Sequence, residues 1–189
     1  MILLYHALQN FYSTTRQRSW IITAFASVIM TLASIPFVLD VLLSWGDITA
    51  LSPRGQLASF VCRAFQGLLL ADLVVGCRYY RSHVTICWGW IHHSIYIILL
   101  HYMIQREWAH GFCLCAVMEL PTFHLSISFL HPRFRHDWLF CALFLATRII
   151  FHLFLFLVFC LPVGISMAQG SRLPAMFLAL AFPGHFMWF

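Results

Sequence analysis

Charged residues are scarce in this sequence, and lysine is missing altogether. Asp, Glu, Lys and Arg make up 9% of the 189 residues, whereas hydrophobic residues make up 62%. A soluble domain carries about 25% charged residues, so this composition excludes an ordinary soluble protein, and the mean hydropathy of +0.86 agrees. The net charge of +5 comes from eleven arginines. Because these arginines cluster at the ends of apolar runs, we interpret them as signals of membrane topology and not as a nucleic-acid-binding surface.

Several common site motifs are missing as well. The seven cysteines lie almost wholly in apolar segments, at spacings that fit neither a disulfide framework nor a zinc site. The sequence contains no G-x-S-x-G, no phosphate-binding glycine loop and no H-E-x-x-H. Its histidines are scattered, whereas membrane di-iron enzymes need them in tight clusters. We therefore predict no metal and no resident cofactor; a haem on His101 or His152 is an alternative that no motif favours.

Long apolar runs dominate the chain instead. A membrane-spanning helix needs about 20 mostly apolar residues, and six runs qualify: 19–44, 57–78, 84–104, 108–130, 138–161 and 173–189. The runs are too long and too uniformly apolar for the alternation of a β-barrel. The sequence therefore predicts an all-α integral membrane protein, a bundle of about six transmembrane helices with the fourth helix broken near Pro121. Residues 1–18 are expected to form a cytosolic or interfacial segment, and residues 19–189 a single domain.

The arginines between these runs predict the orientation. Cytoplasmic connections are enriched in Lys and Arg, and one side of the predicted bundle carries six arginines against three on the other. The six are Arg16, Arg18, Arg78, Arg81, Arg133 and Arg135, and the three are Arg54, Arg106 and Arg172. With six spans, both termini are then predicted to be cytosolic.

Two adjacent histidines, His92 and His93, lie inside the apolar run W-G-W-I-H-H-S-I-Y-I-I-L-L. Neighbouring residues on a helix project about 100° apart, and a buried imidazole is unfavourable unless it is hydrogen-bonded. Ionisable groups at membrane depth usually mark function. The pair therefore favours a site inside the bundle, and the structural alternative is a pair of satisfied core histidines.

An acid beside a proline marks the predicted fourth span. Glu119 stands two residues before Pro121, and His124 follows. Broken helices at membrane depth are tolerated where they line a cavity or are buried in protein, so these residues predict a cavity-lining site. The structural alternative is a packing kink with Glu119 paired to an arginine such as Arg148. Asp72, deep in the second run, is predicted to face another helix.

The order of these segments resembles a TLC domain, the superfamily that includes ceramide synthases, translocon-associated membrane proteins and several lipid-regulating proteins. The segments that carry the resemblance are the run around Asp72, I-H-H-S-I-Y-I, A-V-M-E-L-P-T-F-H-L-S-I-S-F-L-H-P-R-F and F-L-A-T-R-I-I-F-H-L-F-L, within residues 16–165. The resemblance implies that the double histidine of the family falls on His92 and His93. Its acids then fall on Asp72 and Glu119, and its membrane arginine on Arg148.

The chain departs from the pattern of ceramide synthases at several positions. Those enzymes carry G-x7-D-x2-D with a histidine just before the first aspartate. Aligned on Gly111, this sequence has Met118 in place of the histidine, Glu119 in place of the first aspartate and Thr122 in place of the second. The run E-L-P-T is similar to the E-x-S/P-T of the smaller TLC-domain proteins. The resemblance therefore favours that part of the superfamily.

The first function that the resemblance implies is non-catalytic. The chain would bind lipid or regulate membrane lipid composition, most simply in the endoplasmic reticulum. Asp72, Thr122, His124 and Arg148 are then lipid-binding or structural polar residues.

The second function is an acyl-CoA-dependent lipid N-acyltransferase related to ceramide synthase. His92 or His93 would act as general base, and Glu119 would orient the imidazole. The expected partners are membrane lipids, a fatty acyl-CoA as co-substrate or a sphingoid base, and a second copy in a homodimer, but no nucleic acid. A third alternative, suggested by the abrupt first and last residues, is a piece of a longer product.

Overall fold

All regular secondary structure in the described part of the chain is helical. A computed structural model describes residues 2–187, without the side chains of Ser52, Pro53, Trp88 and Met187. The α-helices are α1 (Ile2–Leu8), α2 (Thr15–Ser19), α3 (Ile21–Leu43), α4 (Gly55–Tyr79), α5 (His92–Gln105), α6 (Ala109–Cys115), α7 (Leu120–Leu130), α8 (Asp137–Phe144), α9 (His152–Cys160), α10 (Pro162–Met167) and α11 (Leu173–Met187). Two segments are π-helical, Ile86–Ile91 and Leu145–Phe151. Short 3-10 segments are Gln9–Phe11, Ile48–Arg54, Arg81–His83, Ala116–Glu119 and Pro132–Phe134.

Four helical stretches within the described residues are long and apolar enough to cross a membrane. They are Thr15–Leu43, Gly55–Tyr79, Ala109–Leu130 and Asp137–Cys160, and Leu173–Phe186 is a shorter apolar helix. These stretches are typical of an integral membrane protein, because a hydrocarbon core about 30 Å thick needs about 20 apolar residues in one helix. The prediction of an all-α membrane protein is confirmed at this level.

The predicted third and sixth spans are not among the four. The third coincides with the π-helical segment before α5 and with α5 itself, whose 14 residues rise only about 21 Å. The sixth coincides with α11, and its last two residues, 188 and 189, lie outside the described residues. The six-span arrangement therefore stays a prediction.

The predicted break near Pro121 corresponds to a change of helix type within one continuous helical stretch. The 3-10 segment Ala116–Glu119 joins α6 to α7, and Pro121 is the second residue of α7. Proline is tolerated in the first turn of a helix, where its missing N–H has no partner in any case. The chain thus stays helical across this region, and an interruption of the span stays a prediction.

Helix α3 packs against α4 and against the continuous stretch from α6 to α7, and α4 and α6 also pack on each other. Ser27 and Ser34 are buried on α3, and their hydroxyls donate to the carbonyls of Thr23 and Thr31 in the preceding turn, each at 2.7 Å. Small residues with satisfied hydroxyls allow helices in a membrane to approach closely.

The N-terminal helix α1 packs onto one end of the bundle. Tyr5 is 1% exposed, and its ring lies 5.2 Å from that of Tyr79 and 5.8 Å from that of Tyr80. A capping box between Thr14 and Gln17 then starts α2. Residues 2–18 are therefore helical in large part and contact the bundle, and the placement of the N-terminal segment in the cytosol or at the interface stays a prediction.

A tight connection joins α3 to α4. Gly46 has a φ of +92°, which suits a residue without Cβ, and its N–H donates to the carbonyl of Val41 to end α3. Asp47 accepts hydrogen bonds from the backbone N–H and the hydroxyl of Thr49, which lower the pKa of its carboxyl. Arg54, the residue before α4, donates to both carboxylate oxygens of Asp40 near the end of α3, so an ion pair links the end of α3 to the start of α4.

Candidate functional site

A cavity of about 650 Å³ lies among α3, α4, α5 and the stretch from α6 to α7. This volume is in the range of small-molecule sites in proteins, about 300–1,000 Å³. Arg16 and His83 line one end of the cavity and are exposed, so the cavity opens to the surface beside them. The other end reaches His185 on α11. Most predicted site residues line the cavity, namely Asp72, His92, His93, Glu119, Thr122 and Arg148.

His124 is the predicted site residue that lies elsewhere. It does not line this cavity, and its ring faces that of Phe140 at 6.4 Å. Both of its ring nitrogens are buried without a hydrogen-bond partner among the described residues. It stands five residues after Glu119, and five residues turn a helix by about 140° beyond one full turn. His124 therefore faces away from the side on which Glu119 lies.

The site residues sit where the helices change their hydrogen-bonding pattern. His92 and His93 directly follow the π-helical segment Ile86–Ile91, and Arg148 lies in the middle of the second π-helical segment, Leu145–Phe151. Glu119 ends the 3-10 segment before α7. Such segments are frequent at functional sites because each one shifts the faces that follow it relative to a regular α-helix.

Asp72 links a tyrosine and a histidine. The hydroxyl of Tyr80 donates to Asp72 Oδ1 at 2.6 Å, and Asp72 Oδ2 lies 3.6 Å from Nδ1 of His93. The second distance is that of a charge contact and is longer than a direct hydrogen bond. The sequence analysis did not predict a role for Tyr80. Its position eight residues after Asp72, about two helical turns, would place both residues on the same side of a helix.

Gly76 stands between these two residues on the same face of α4. A Cβ at this position would lie 2.5 Å from Cγ2 of Val84 and 3.1 Å from Cε2 of Tyr80. The absence of a side chain therefore lets Tyr80 lie back along the helix towards Asp72. It also lets Val84 pack at the wall of the cavity, which that residue lines.

Arg148 holds the opposite wall of the cavity together. Its Nε donates to the carbonyl of Met118 at 3.0 Å, and its Nη2 donates to the hydroxyl of Thr122 at 2.7 Å. The same Nη2 lies 3.7 Å from Oε1 of Glu119. A buried charge needs such partners, because its desolvation is unfavourable by several kcal/mol.

Pro121 removes one of the backbone donors that the carbonyl of Met118 would otherwise have. In the 3-10 segment, the N–H of Leu120 donates to the carbonyl of Val117, three residues back. The next bond of that pattern would run from residue 121 to Met118, but proline has no N–H to donate. The guanidinium of Arg148 supplies the missing donor, so the E-L-P-T run and the arginine form one unit.

Glu119 and the two histidines share the cavity without forming an ion pair among the described residues. The carboxylate in ion-pair range of His93 is that of Asp72, and Glu119 is in range of Arg148. The ring of His92 lies 4.6 Å from that of Tyr96, one turn along α5, with the two planes tilted by 43°. That Glu119 orients one of the histidines accordingly stays a prediction, and Asp72 is the better-placed carboxylate for that role.

The cavity wall combines a guanidinium that can bind an oxygen atom of a ligand with an imidazole that can accept a proton. A fixed guanidinium can hold a carbonyl or an anionic oxygen, and an imidazole backed by a carboxylate can accept a proton. Within residues 2–187, no three metal-ligating side chains come together.

No family model matches the chain, and comparisons with curated proteins and with solved structures likewise return no match. The resemblance to TLC domains therefore rests on the residues themselves.

Proposed function

We propose that the chain is a TLC-type multi-pass membrane protein that binds a lipid in the large cavity and regulates membrane lipid composition. The observation that carries this proposal is the cavity of about 650 Å³ with charged and polar walls, set among helices long enough to cross a membrane. Polar residues at membrane depth are usually kept for a ligand or a transport path. The proposal includes the six-span topology with both termini cytosolic, and residence in the endoplasmic reticulum.

The open end of the cavity supports a lipid as the ligand. Arg16 and His83 are exposed there, and the guanidinium of Arg16 lies 4.7 Å from the ring centre of Phe129. The ring of Trp20 stacks on that of Phe129, with centroids 4.4 Å apart. A basic group held by aromatic rings suits the boundary between lipid headgroups and hydrocarbon.

One specific observation favours the acyltransferase as a second candidate. The order Tyr80, Asp72, His93 places a hydrogen-bonded carboxylate behind an imidazole that faces the cavity. In other acyl-transfer sites a carboxylate hydrogen-bonded to the imidazole activates the nucleophile, and here the contact of 3.6 Å would have to shorten to give that bond. In this candidate, His93 removes the proton from a lipid amine while the amine nitrogen attacks the thioester carbonyl of the acyl-CoA. Arg148 binds the carbonyl oxygen, and Asp72 stabilises the imidazolium. The C–S bond then breaks, and the departing thiolate of CoA takes the proton from His93.

One experiment separates the two candidates. The protein, purified in detergent, is extracted for bound lipid and is also supplied with labelled fatty acyl-CoA and a panel of sphingoid bases and lysolipids. Retained lipid without acyl transfer supports the lipid-binding function. Acyl transfer that disappears in both His93→Ala and Asp72→Asn supports the enzyme, and transfer that persists in both variants would exclude the mechanism given above.

The variant Glu119→Gln tests whether Glu119 is the carboxylate that orients the imidazole. Glu119→Gln removes the charge that faces Arg148 but leaves the contact between Asp72 and His93. We expect weaker lipid retention in this variant, with any acyl transfer reduced less than in Asp72→Asn. The reverse order would assign the orienting role to Glu119.

A further inference from the structure

Two histidines that neither candidate function uses form a hydrogen-bonded pair at the inner end of the large cavity. His152 on α9 is 2% exposed and His185 on α11 is 9% exposed. Nε2 of His185 lies 2.9 Å from Nδ1 of His152, and Nε2 of His152 lies 2.9 Å from the backbone carbonyl oxygen of Leu178. The two residues are 33 positions apart, so the pair exists only because α9 and α11 pack together.

The backbone carbonyl of Leu178 determines which ring nitrogens of His152 and His185 carry a hydrogen. A carbonyl oxygen only accepts, so Nε2 of His152 carries the hydrogen that it donates to Leu178. In the neutral ring, Nδ1 of His152 then accepts, and Nε2 of His185 must donate to it. The remaining nitrogen, Nδ1 of His185, is left without a hydrogen and is an acceptor.

The surroundings of the pair keep it neutral. The rings of Phe144 and Phe182 pack against His185 at 6.4 Å and 6.3 Å. Arg148 lies four residues before His152, on the same side of its helix, and already carries a positive charge. A second positive charge in this apolar environment would be unfavourable.

His185 lies at the junction of two cavities. A smaller, mostly apolar pocket of about 110 Å³ adjoins the large one, and both are lined by Tyr96, Phe112, Cys115, Met118 and His185. We call these five shared residues the neck. The smaller pocket has a few times the volume of one water, about 30 Å³, so it has room for a short apolar segment and not for a whole lipid chain.

We propose that Nδ1 of His185 is a hydrogen-bond acceptor for a hydroxyl group of the bound lipid, at the point where its polar part meets its hydrocarbon chain. The polar end of the lipid lies in the large cavity, the hydroxyl donates to His185 at the neck, and the first part of the chain enters the apolar pocket. His152 is a positioning residue, because it fixes which nitrogen of His185 accepts. This inference rests on the proposed lipid-binding function and adds the chemistry that the ligand must carry.

Two kinds of lipid offer such a hydroxyl: a 2-hydroxy fatty acid, and a long-chain amino alcohol with a hydroxyl at carbon 3. The test uses a matched pair of each, with and without that hydroxyl and with equal chain length. Binding of all four lipids to the purified protein in detergent is measured by isothermal calorimetry. We expect the hydroxylated member of one pair to bind about two- to tenfold more tightly, the value of one neutral hydrogen bond, and that pair identifies the kind of lipid.

The variants test the residues. His185→Phe should bring the preference for the hydroxyl to about one while the plain lipid still binds, since a structural role would weaken both members of a pair equally. His152→Phe should lower the preference as well, because the tautomer of His185 is then no longer fixed. His101→Phe changes an exposed histidine on α5 and should keep the full preference.

The failures of the two proposals are distinguishable. Equal binding of both members of both pairs to the wild type, or a preference that survives His185→Phe, would overturn the assignment of His185 and leave the lipid-binding function standing. No binding of any of the four lipids, together with no co-purifying lipid, would overturn the lipid-binding function itself.

Discussion

At the scale of single residues, the hydroxyl of Tyr80 and the carboxylate of Asp72 form the shortest link in the cavity wall described above, at 2.6 Å. Tyr80→Phe removes the donor and leaves the buried carboxylate with less compensation, which should destabilise the protein by about 1–3 kcal/mol. Tyr79→Phe is the matched control. Tyr79 is exposed, and its hydroxyl forms a hydrogen bond with His6 at 3.1 Å. Thermal unfolding in one detergent should place the midpoint of Tyr80→Phe clearly below that of Tyr79→Phe; equal midpoints would contradict the link.

Thr122 is a second residue whose effect the geometry defines. Its hydroxyl accepts from Nη2 of Arg148 across two helices, so Thr122→Val removes this hydrogen bond at similar side-chain volume. We expect a loss of about 1.5–3 kcal/mol, the value of a hydrogen bond to a charged group. Thr147→Val is the control, since the hydroxyl of Thr147 donates to the carbonyl of Leu143 in the same helical stretch and not to a charged group among the described residues. If both variants unfold at the same temperature, the contact between Thr122 and Arg148 contributes nothing.

At the scale of helices, two glycines of α4 differ in what surrounds them. Gly76→Ala would place a Cβ 2.5 Å from the stiff side chain of Val84, and overpacking of this kind destabilises by about 1–3 kcal/mol. Gly67 has nothing within 4 Å of its Cβ position, so Gly67→Ala should stabilise α4 by about 0.5–1 kcal/mol through helix propensity. The thermal midpoints should therefore move in opposite directions. A Gly76→Ala protein as stable as Gly67→Ala would show that Val84 does not pack against α4.

The positions of the long helices could be predicted from the sequence. The predicted second run, 57–78, lies within the helix Gly55–Tyr79, and the predicted fifth run, 138–161, nearly coincides with Asp137–Cys160. Each is a long apolar run that ends at polar or turn-forming residues, which is a strong signal. The two π-helical segments could not be predicted, because a change of backbone hydrogen-bonding pattern leaves no mark on composition or periodicity.

The candidate site was predictable in part, for a similar reason. Charged residues in apolar runs are rare, so Asp72, Glu119 and Arg148 stand out in the sequence. Which of them meet depends on how separate helices pack, and no spacing along the chain encodes that. The pairing of His93 with Asp72, and of His152 with His185, therefore appears only in three dimensions.

At the scale of the whole molecule, the central feature is a polar cavity inside an apolar helical bundle. Around it, α3 packs on both α4 and the stretch from α6 to α7, and the side chains that meet in the cavity come from different helices. A cavity of this size with charged walls is unfavourable in a membrane protein unless a ligand or water satisfies those groups. Because we propose that a lipid satisfies them, we expect the folded protein to carry lipid when it is extracted from a membrane.

The most direct test is native mass spectrometry of the protein after extraction in a mild detergent, comparing the wild type with a variant whose cavity is filled. Ala26 lines the cavity on α3, so Ala26→Phe should occupy part of the space that the ligand takes. Ala142→Phe adds the same ring at an exposed position on α8 and serves as the control. If the large cavity binds lipid, the wild type and Ala142→Phe should both carry a lipid adduct. The adduct should be reduced or lost on Ala26→Phe. A wild type without bound lipid, or an adduct equally abundant on all three proteins, would contradict it.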